Sequence, residues 1–229
     1  PFIRSIGIKC GLDDAIKLER MNEVEYVCAQ SKAFTLSDEF SCGDERQEES
    51  QAEISRRYNA VESSFRLSNR TFYPIPTFDE GLNGKGITLC VMDTGVSPHL
   101  DLSVPKNRII GSVDFINDEK YPYDDNGLVA GVAVGNGTLS AKGIRGVAPM
   151  ANVLSVKVIE KKGESGTFKI LDGMQWLFDN FRQYGVRVVC MSFGAEPLDY
   201  ADPLKIGAEC LQEAVLSWLR RQETAAKTL

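Results

Sequence analysis

The sequence predicts an α/β fold with a mainly parallel sheet and helices on both faces. Continuous apolar runs, which are typical of strands buried on both faces, alternate along the chain with segments of helical periodicity. The composition is that of an ordinary globular protein, with 43% hydrophobic and 25% charged residues. A length of 229 residues leaves room for one sizeable domain and an appendage.

The N-terminal part divides into two segments of different character. Residues 1–36 predict a small α/β unit. Its expected elements are a strand at 4–10, a helix at 12–21 with carboxylates in its first turn, and a strand at 24–28. Residues 37–78 are acidic and polar without apolar periodicity over most of their length, which predicts a flexible linker with a helical stretch near 51–61.

From residue 79 onward, strands alternate with helices. The predicted strands lie at 87–92, 109–113, 151–159 and 186–192, and the predicted helices at 167–184 and 202–219. In the first of these helices, apolar residues recur at steps of three and four, and Gly185 can end it. Such alternation favours parallel strands joined by helices that cover the sheet.

Composition excludes several classes of partner. The net charge of −6 and the absence of a basic stripe argue against nucleic acid. No apolar run approaches the ~20 residues of a membrane helix, so no membrane partner is expected. Six cysteines without a CxxC pair, together with one histidine, argue against zinc. Scattered cysteines and no signal-peptide pattern favour a cytoplasmic location.

Asp93 is the first residue with a predicted chemical role. It closes a buried strand and precedes Thr94 and Gly95, and the ligand crevice of a parallel sheet lies at the carboxyl ends of its strands. Read alone, the triplet is equally compatible with an aspartate that caps a turn. Asp-Thr-Gly also occurs in aspartic peptidases, but these are all-β proteins, and the helical pattern argues against them.

Several motifs together are far more specific than this triplet. They are Gly84-Lys-Gly-Ile-Thr-Leu-Cys-Val-Met-Asp93-Thr-Gly, Pro98-His-Leu-Asp-Leu102, Asp125-Asn-Gly with Val129-Ala-Gly, Arg145-Gly-Val-Ala-Pro149, Val156-Lys-Val158 and Met191-Ser-Phe-Gly194. In order and spacing, the chain resembles the subtilisin-like serine peptidases, and within them the bacterial intracellular alkaline branch. The resemblance implies that residues 79–211 form the N-terminal part of such a peptidase domain, an incomplete subtilisin-like fold. Residues 1–36 are similar to the second half of the family's propeptide, a small chaperone and inhibitor domain, and would be an intramolecular partner.

The resemblance also implies a site. Asp93 matches the aspartate of the Asp-His-Ser triad, which orients the imidazole and stabilises imidazolium. An extended peptide or protein substrate would pair with two edge segments. These segments contain Ser165 and Gly166 in one and Ser192, Phe193 and Gly194 in the other. A family calcium site often uses the aspartate that matches Asp101, but its other ligands are not placed, so no metal or other cofactor is predicted.

The catalytic histidine of the family is missing from its expected place. The family reads Asn-Gly-His-Gly-Thr-His-Val-Ala-Gly there, whereas this chain reads Asn126-Gly-Leu128-Val-Ala-Gly131, three residues shorter. The single histidine, His99, lies on the loop after Asp93, where a solvated or locally bonded imidazole is the expected state. Without a histidine beside them, neither Ser165 nor Ser192 is a plausible nucleophile.

Residues 212–229 depart from the family in a second way. Codons permitted for Gln212-Glu-Ala-Val-Leu-Ser-Trp218 and the residues that follow can be read in another frame as Gly-Ser-Gly-Ile-Val-Val-Val-Ala-Ala-Ala-Gly-Asn-Ser-Gly, which resembles the family's buried strand and oxyanion asparagine. This predicts an out-of-frame tail. The alternative is a genuine amphipathic helix end.

Three functional hypotheses follow. The first is a subtilisin-like serine endopeptidase family member that is inactive because its histidine and serine are absent. The second is an active family member, either because a complete chain exists or because the missing pieces have been lost from the sequence as given. The third is a non-catalytic module that binds a peptide or the propeptide remnant.

Overall fold

The computed structural model of the chain describes residues 8–24, 27, 30, 32–35, 82–124, 129–141, 145–195 and 202–226. Its helices are α1 (Leu12–Glu19), α2 (Leu100–Ser103), α3 (Val129–Val134), α4 (Thr167–Asn180) and α5 (Pro203–Ala226). Its strands are β1 (Lys32–Thr35), β2 (Thr88–Asp93), β3 (Ile109–Asp114), β4 (Asn152–Lys157), β5 (Glu164–Gly166), β6 (Val186–Met191) and β7 (Phe193–Ala195). The predicted linker at 37–78 and the shortened motif at Leu128 lie outside the described residues.

Four strands form a parallel sheet in the order β3-β4-β2-β6. All six residues of β2 are buried, because this strand has a neighbour on each side and is covered on both faces. The continuous apolar runs therefore predict strand position correctly, and the mainly parallel α/β architecture is confirmed. Within the described residues, β2 is the one strand that pairs with β6 in this sheet.

Alternate residues of the strands enter two cores, one on each face of the sheet. On the first face, Met92 and Leu154 pack with the apolar sides of α4 and α5. On the second face, Val91 and Val153 pack with residues of α2 and α3. The period of two along each strand thus puts helices on both faces, as the sequence predicts.

A second sheet has three short antiparallel strands in the order β5-β1-β7. The outer strands come from the sequence before α4 and after β6, whereas the middle strand comes from the N-terminal region. These strands are hard to predict from the sequence, because each has only three or four residues. Pairing partners, rather than local periodicity, fix their conformation.

The observed helices differ from the predicted ranges mainly at their ends. The helix predicted at 12–21 ends at Glu19, and the helix predicted at 167–184 ends at Asn180, with Gly185 in the left-handed region at φ 62°. The described residues of the predicted strands at 4–10 and 24–28 are not in strands. Of the helices in the described regions, none combines the length and apolar character needed to cross a membrane.

Helix α5 is longer than predicted and runs without interruption past Leu211 to Ala226. Leu211 and Val215 are buried, and Trp218 packs edge-to-face on Phe181 with ring centroids 5.9 Å apart. Residues at steps of four and three therefore continue one apolar stripe beyond position 211. This is the arrangement expected of an amphipathic helix end, which the sequence leaves open as the alternative to an out-of-frame tail.

Candidate functional site

The carboxyl edge of the parallel sheet carries a row of three charged side chains. Asp114, Lys157 and Asp93 end the adjacent strands β3, β4 and β2, and Lys157 is the register partner of both aspartates. All three are buried, with 8%, 2% and 7% of their surface exposed. Buried charges are costly unless they are paired or hydrogen-bonded, so such a row marks a candidate functional site.

Asp93 lies at the centre of this edge. Its Oδ1 accepts a hydrogen bond of 2.7 Å from the backbone N–H of Thr94. Burial raises the pKa of Asp93 above its ordinary value, and the charge of Asp124 adds to this, while the Thr94 N–H and Lys157 oppose it. The fold thus holds a desolvated carboxyl group at the point where the resemblance implies the triad aspartate.

The loop that ends at Asp124 folds back on the segment after Asp93. The hydroxyl of Thr94 donates to Asp124 Oδ1 at 2.8 Å, and the N–H of Asp124 donates to Ser97 Oγ at 3.1 Å. Gly95 has φ 125°, and a Cβ there would be 2.1 Å from the carbonyl oxygen of Tyr123. Glycine is therefore required by both the backbone conformation and the close approach.

Lys157 and Tyr123 connect the members of the row. Lys157 Nζ donates to the carbonyl oxygen of Thr94 and to that of Ile159, and it lies 4.8 Å from the centroid of the Tyr123 ring. The hydroxyl of Tyr123 donates to Asp114 Oδ2 at 2.9 Å. The lysine is thus solvated by carbonyl oxygens and an aromatic face instead of water, which lowers the cost of its burial.

Asp114 has the opposite pKa perturbation to Asp93. Burial alone would raise its pKa, but the N–H groups of Ile116 and Asn117 and the hydroxyl of Tyr123 bind the carboxylate and lower the pKa overall. Two aspartates at one sheet edge therefore differ because one has several hydrogen-bond donors and the other mainly has burial.

His99 caps helix α2. Its Nδ1 accepts a hydrogen bond of 3.3 Å from the N–H of Asp101 and lies 4.0 Å from Asp101 Oδ2, and 43% of its side chain is exposed. The backbone carbonyl of His99 also accepts from the Ser103 hydroxyl. This confirms the expectation of a locally bonded loop histidine.

The five residues predicted for substrate binding lie on two segments that flank one extended strand. Ser165 and Gly166 belong to β5, and Phe193 and Gly194 belong to β7. Between them runs β1, with Ala33 opposite Ser165 on one side and opposite Ala195 on the other. The structure therefore brings the two predicted edge segments together around a peptide strand, which in this case is part of the same chain.

Ser192 and Ser165 are placed differently from a nucleophile. Ser192 precedes β7, and its Oγ is 3.4 Å from Cys190 Sγ. Ser165 is buried, and within the described residues its Oγ has no hydrogen-bond partner. Neither hydroxyl is bonded to His99 in the part of the chain that the structure describes, so neither Ser165 nor Ser192 has the adjacent histidine that a serine nucleophile of this family needs.

The neighbourhood of Asp101 is organised by backbone groups. Its Oδ1 accepts from the Leu139 N–H at 2.8 Å, and its carbonyl oxygen accepts from the Asn136 N–H and from the guanidinium of Arg108. Across the described ranges, no group of three or more His, Cys, Asp or Glu side chains is suited to hold a metal ion. No metal is assigned to this chain.

Sequence reasoning missed two parts of the site. Lys157, Asp114 and Tyr123 form the network around Asp93, and the available signal was a charged residue at the end of successive apolar runs. The second is β1, the strand between β5 and β7, which carries no local pattern that predicts pairing with sequence more than a hundred residues away.

Comparison with known proteins matches this chain to one family of serine proteases. The model of the subtilase family matches residues 84–225. Serine protease AprX of Bacillus subtilis (strain 168) is 38% identical over 133 residues, which are 54% of this chain and 29% of that protein. Thermostable alkaline protease of Halalkalibacterium halodurans is 33% identical over 121 residues, 51% of this chain and 30% of that protein. Subtilisin Savinase of Lederbergia lenta is 34% identical over 121 residues, which are 51% of this chain and 40% of that protein.

Two solved structures are similar to the chain. A cold-adapted subtilisin-like serine proteinase has a TM-score of 0.46 at 22% identity, covering 65% of this chain and 49% of that one. Fervidolysin from Fervidobacterium pennivorans, a keratinolytic enzyme related to subtilisin, has a TM-score of 0.47 at 25% identity, covering 59% and 21%. The chain spans 29% to 40% of the length of the three relatives described above. The family model matches more than half of the chain, so the chain belongs to the subtilase family.

Proposed function

We propose that this chain binds an extended peptide between β5 and β7 in the manner of a subtilase and does not hydrolyse it. The observation that carries the proposal is the three-stranded antiparallel sheet, in which β1 pairs with β5 on one side and β7 on the other. A strand held by backbone hydrogen bonds on both edges has the same arrangement as an extended peptide bound by strand addition. In this proposal, the space between β5 and β7 is the binding groove, and residues 32–35 occupy it.

Several features support the absence of hydrolysis. We propose Asp93 as the triad aspartate, on its position at the end of β2 and on the family motif around it. The single histidine, His99, is exposed and bonded to Asp101, so it is engaged as a helix cap. A serine nucleophile needs a base within hydrogen-bond reach, and neither Ser165 nor Ser192 has one. The polypeptide of this sequence is therefore expected to be a pseudoenzyme.

The occupant of the groove supports a division of the chain into units. We propose that residues 1–36 are a propeptide remnant and an intramolecular partner, that 37–78 connect it to the rest, and that 79–211 are the N-terminal part of the peptidase domain. The position of β1 at the end of the first unit supports this, because its four residues reach the groove while α1 precedes it. A cytoplasmic location belongs to the same proposal and is supported by the scattered cysteines.

We further propose that residues 212–229 are read out of frame and that the sequence around Leu128 has lost three residues. The support is the alternative reading of the codons, in which Trp218 has only one codon and thereby fixes three bases. The apolar stripe of α5 is the observation that favours the alternative, a genuine helix end. The nucleotide sequence tests the proposal, and an in-frame gene whose other frame lacks the valine- and alanine-rich strand would refute it.

The binding proposal is tested with the full chain carrying Ala33→Asp. Because Ala33 is completely buried, a carboxylate there should expel β1 and free the groove. A fluorescent peptide Gln-Ser-Lys-Ala-Phe-Thr-Leu, the sequence of residues 30–36, should then bind saturably, and a matched peptide with Asp in place of Ala should not. No saturable binding by a folded A33D chain would contradict the proposal.

Two further measurements keep the proposal testable in the unmodified chain. Hydrogen exchange should show protected amides in residues 32–35, and their full exposure would refute the pairing. A peptide anilide and a serine-directed fluorophosphonate test the chemistry, and turnover or covalent labelling would refute the pseudoenzyme. If A33D does not fold, the exchange measurement on the wild-type chain decides the binding proposal.

A further inference from the structure

One end of the groove carries an ion pair between the occupant and the groove wall. Lys32 is the register partner of Gly166, and its Nζ lies 2.9 Å from Glu164 Oε2. The Glu164 carboxylate is the main cause that raises the pKa of Lys32, by its hydrogen bond and its charge, and Glu160 adds to the effect. Correspondingly, Lys32 lowers the pKa of Glu164, and Lys162 contributes a smaller effect of the same sign.

These side chains line a shallow cavity of about 320 Å³. Its walls are Gln30, Lys32, Glu160, Glu164, Ser165 and Gly166. Two of the four wall residues supplied by the groove are acidic. Gly166 lies against the side chain of Gln30, since a Cβ at position 166 would be 2.1 Å from Gln30 Nε2. The wall therefore has room for a long side chain from the occupant and carboxylates to meet its end.

The next residue of the occupant has the opposite environment. Ala33 has no exposed surface and belongs to the apolar core formed with α4 and α5. Successive side chains of a strand point to opposite faces, so a residue that reaches the acidic wall is necessarily followed by one that enters the core. The occupant thus presents a charged, exposed residue and then a small, buried one.

We propose that Glu164, together with Glu160, is a specificity determinant of the groove and selects peptides with Lys or Arg at the position opposite Gly166, followed by a small apolar residue. This inference deepens the proposed function and rests on it. The preferred partner is therefore an extended peptide segment in which a basic residue is followed by a small apolar one.

The two parts of this preference differ in expected size. Both members of the ion pair are exposed, at 71% and 53% of their side chains, and exposed ion pairs are weak and screened by salt. We therefore expect about a two- to fivefold loss of affinity when the basic residue is made neutral, with the difference shrinking at high salt. A charged residue in place of the small one should reduce affinity about tenfold or more, because it must be buried.

The test uses the full chain with Ala33→Asp, whose groove is free, and three peptides that differ at one position. The peptides are Gln-Ser-Lys-Ala-Phe-Thr-Leu and its Lys→Gln and Lys→Glu forms. Affinity should fall in the order Lys, Gln, Glu. In the chain that also carries Glu164→Lys, the order should reverse, whereas the matched surface change Glu213→Lys should leave it unchanged.

The outcomes separate this inference from the proposed function. Equal binding of all three peptides would refute the charge preference while leaving strand addition intact. Binding of none of them by a folded chain would refute strand addition itself. If A33D does not fold, hydrogen exchange of residues 32–34 in an otherwise unchanged chain gives the same answer. There E164K should raise exchange and K32E/E164K should restore protection, and equal exchange in all variants would overturn the inference.

Discussion

The two sheets of this molecule are held together by different forces. In the parallel sheet, β2 and β4 are buried nearly throughout, and their side chains fill cores on both faces. In the antiparallel sheet, β1 contributes one fully buried alanine, an exposed ion pair and backbone hydrogen bonds to β5 and β7. The first sheet is a framework fixed by apolar burial, whereas in our proposal the second sheet is a groove between β5 and β7 whose middle strand can be exchanged for a peptide.

This difference separates stability from recognition. The framework supplies β5 and β7 with fixed positions, because β5 leads into α4 and β7 follows β6. In our proposal, the groove recognises its occupant mainly through backbone groups, which any extended peptide can offer, and adds selectivity through a few side chains. Substitutions in the framework should therefore affect both sheets, and substitutions in β1 should affect one.

The largest effect is expected from Leu154→Ala in β4. Leu154 is completely buried in the core with α4 and α5, so its truncation should lower the free energy of unfolding by about 2 to 5 kcal/mol. Urea denaturation measures this loss. Val188→Ala on β6 is the control, because Val188 is 51% exposed and should change stability by less than about 0.5 kcal/mol. Equal effects of the two substitutions would contradict the assignment of the framework core.

A smaller but still large effect is expected from Val215→Thr in α5. Val215 is buried in the same core, and an uncompensated hydroxyl group there should cost about 1 to 3 kcal/mol. Glu213→Ala, at an exposed position two residues away, is the matched control. If both variants unfold at the same urea concentration as the wild type, residues 212–219 do not belong to the framework.

Asp93→Asn should stabilise the chain at neutral pH. The folded-state pKa of Asp93 is raised, so the native state binds a proton more tightly than the unfolded chain, and stability falls as the pH rises between the unfolded value of about 3.9 and the folded value. Asparagine removes this penalty, so the gain should be present above the folded pKa and absent below about pH 3.9. Denaturation of D93N across pH 3 to 8 measures it.

Asp114→Asn is the matched comparison for this pH dependence. The folded-state pKa of Asp114 is lowered, so its carboxylate contributes stability above about pH 3.9 that is lost as the pH falls through the folded value. D114N should therefore be destabilised at neutral pH and approach the wild type in acid. The same sign of change in D93N and D114N would refute the contrast between the two aspartates.

The smallest effect on the framework is expected from Ala33→Asp. It should release β1 and abolish the exchange protection of residues 32–35 while shifting the unfolding of the parallel sheet by less than about 1 kcal/mol, because the four strands of that sheet pair with one another and not with β1. Hydrogen exchange and urea denaturation of the same sample separate the two effects. Global unfolding of A33D together with loss of protection in β2 would show that β1 is part of the framework.

The sequence predicts the framework well because its signals are local. Each long strand is a run of apolar residues, and α4 has a clear period of three and four, so element type follows from neighbouring residues. The antiparallel sheet is less predictable. The resemblance predicts a role for Ser165, Gly166, Phe193 and Gly194, whereas the strand conformation of Lys32–Thr35 depends on pairing with residues more than a hundred positions away in the chain.

At the edge of the parallel sheet, the sequence predicts Asp93 but not the residues around it, because only Asp93 is marked by a local pattern. Asp93 stands at the end of an apolar run within a specific motif, so the sequence alone predicts a chemical role for this residue. Its pKa perturbation and its link to Asp114 through Lys157 and Tyr123 depend on which strands are neighbours. The sheet order β3-β4-β2 creates that link, and no local pattern encodes strand order.

The strand that occupies the proposed groove, β1, is covalently joined to the rest of the chain through residues 36–87, which connect β1 to β2. Its encounter with the groove is therefore unimolecular, and diluting the protein does not release it. A tethered strand acts at an effective concentration that reaches the millimolar range for short connections and falls as they lengthen. A free peptide at micromolar concentration competes only if its own affinity offsets that advantage. A single cut between β1 and β2 would convert the contact into a bimolecular one, and simple dilution would then empty the groove.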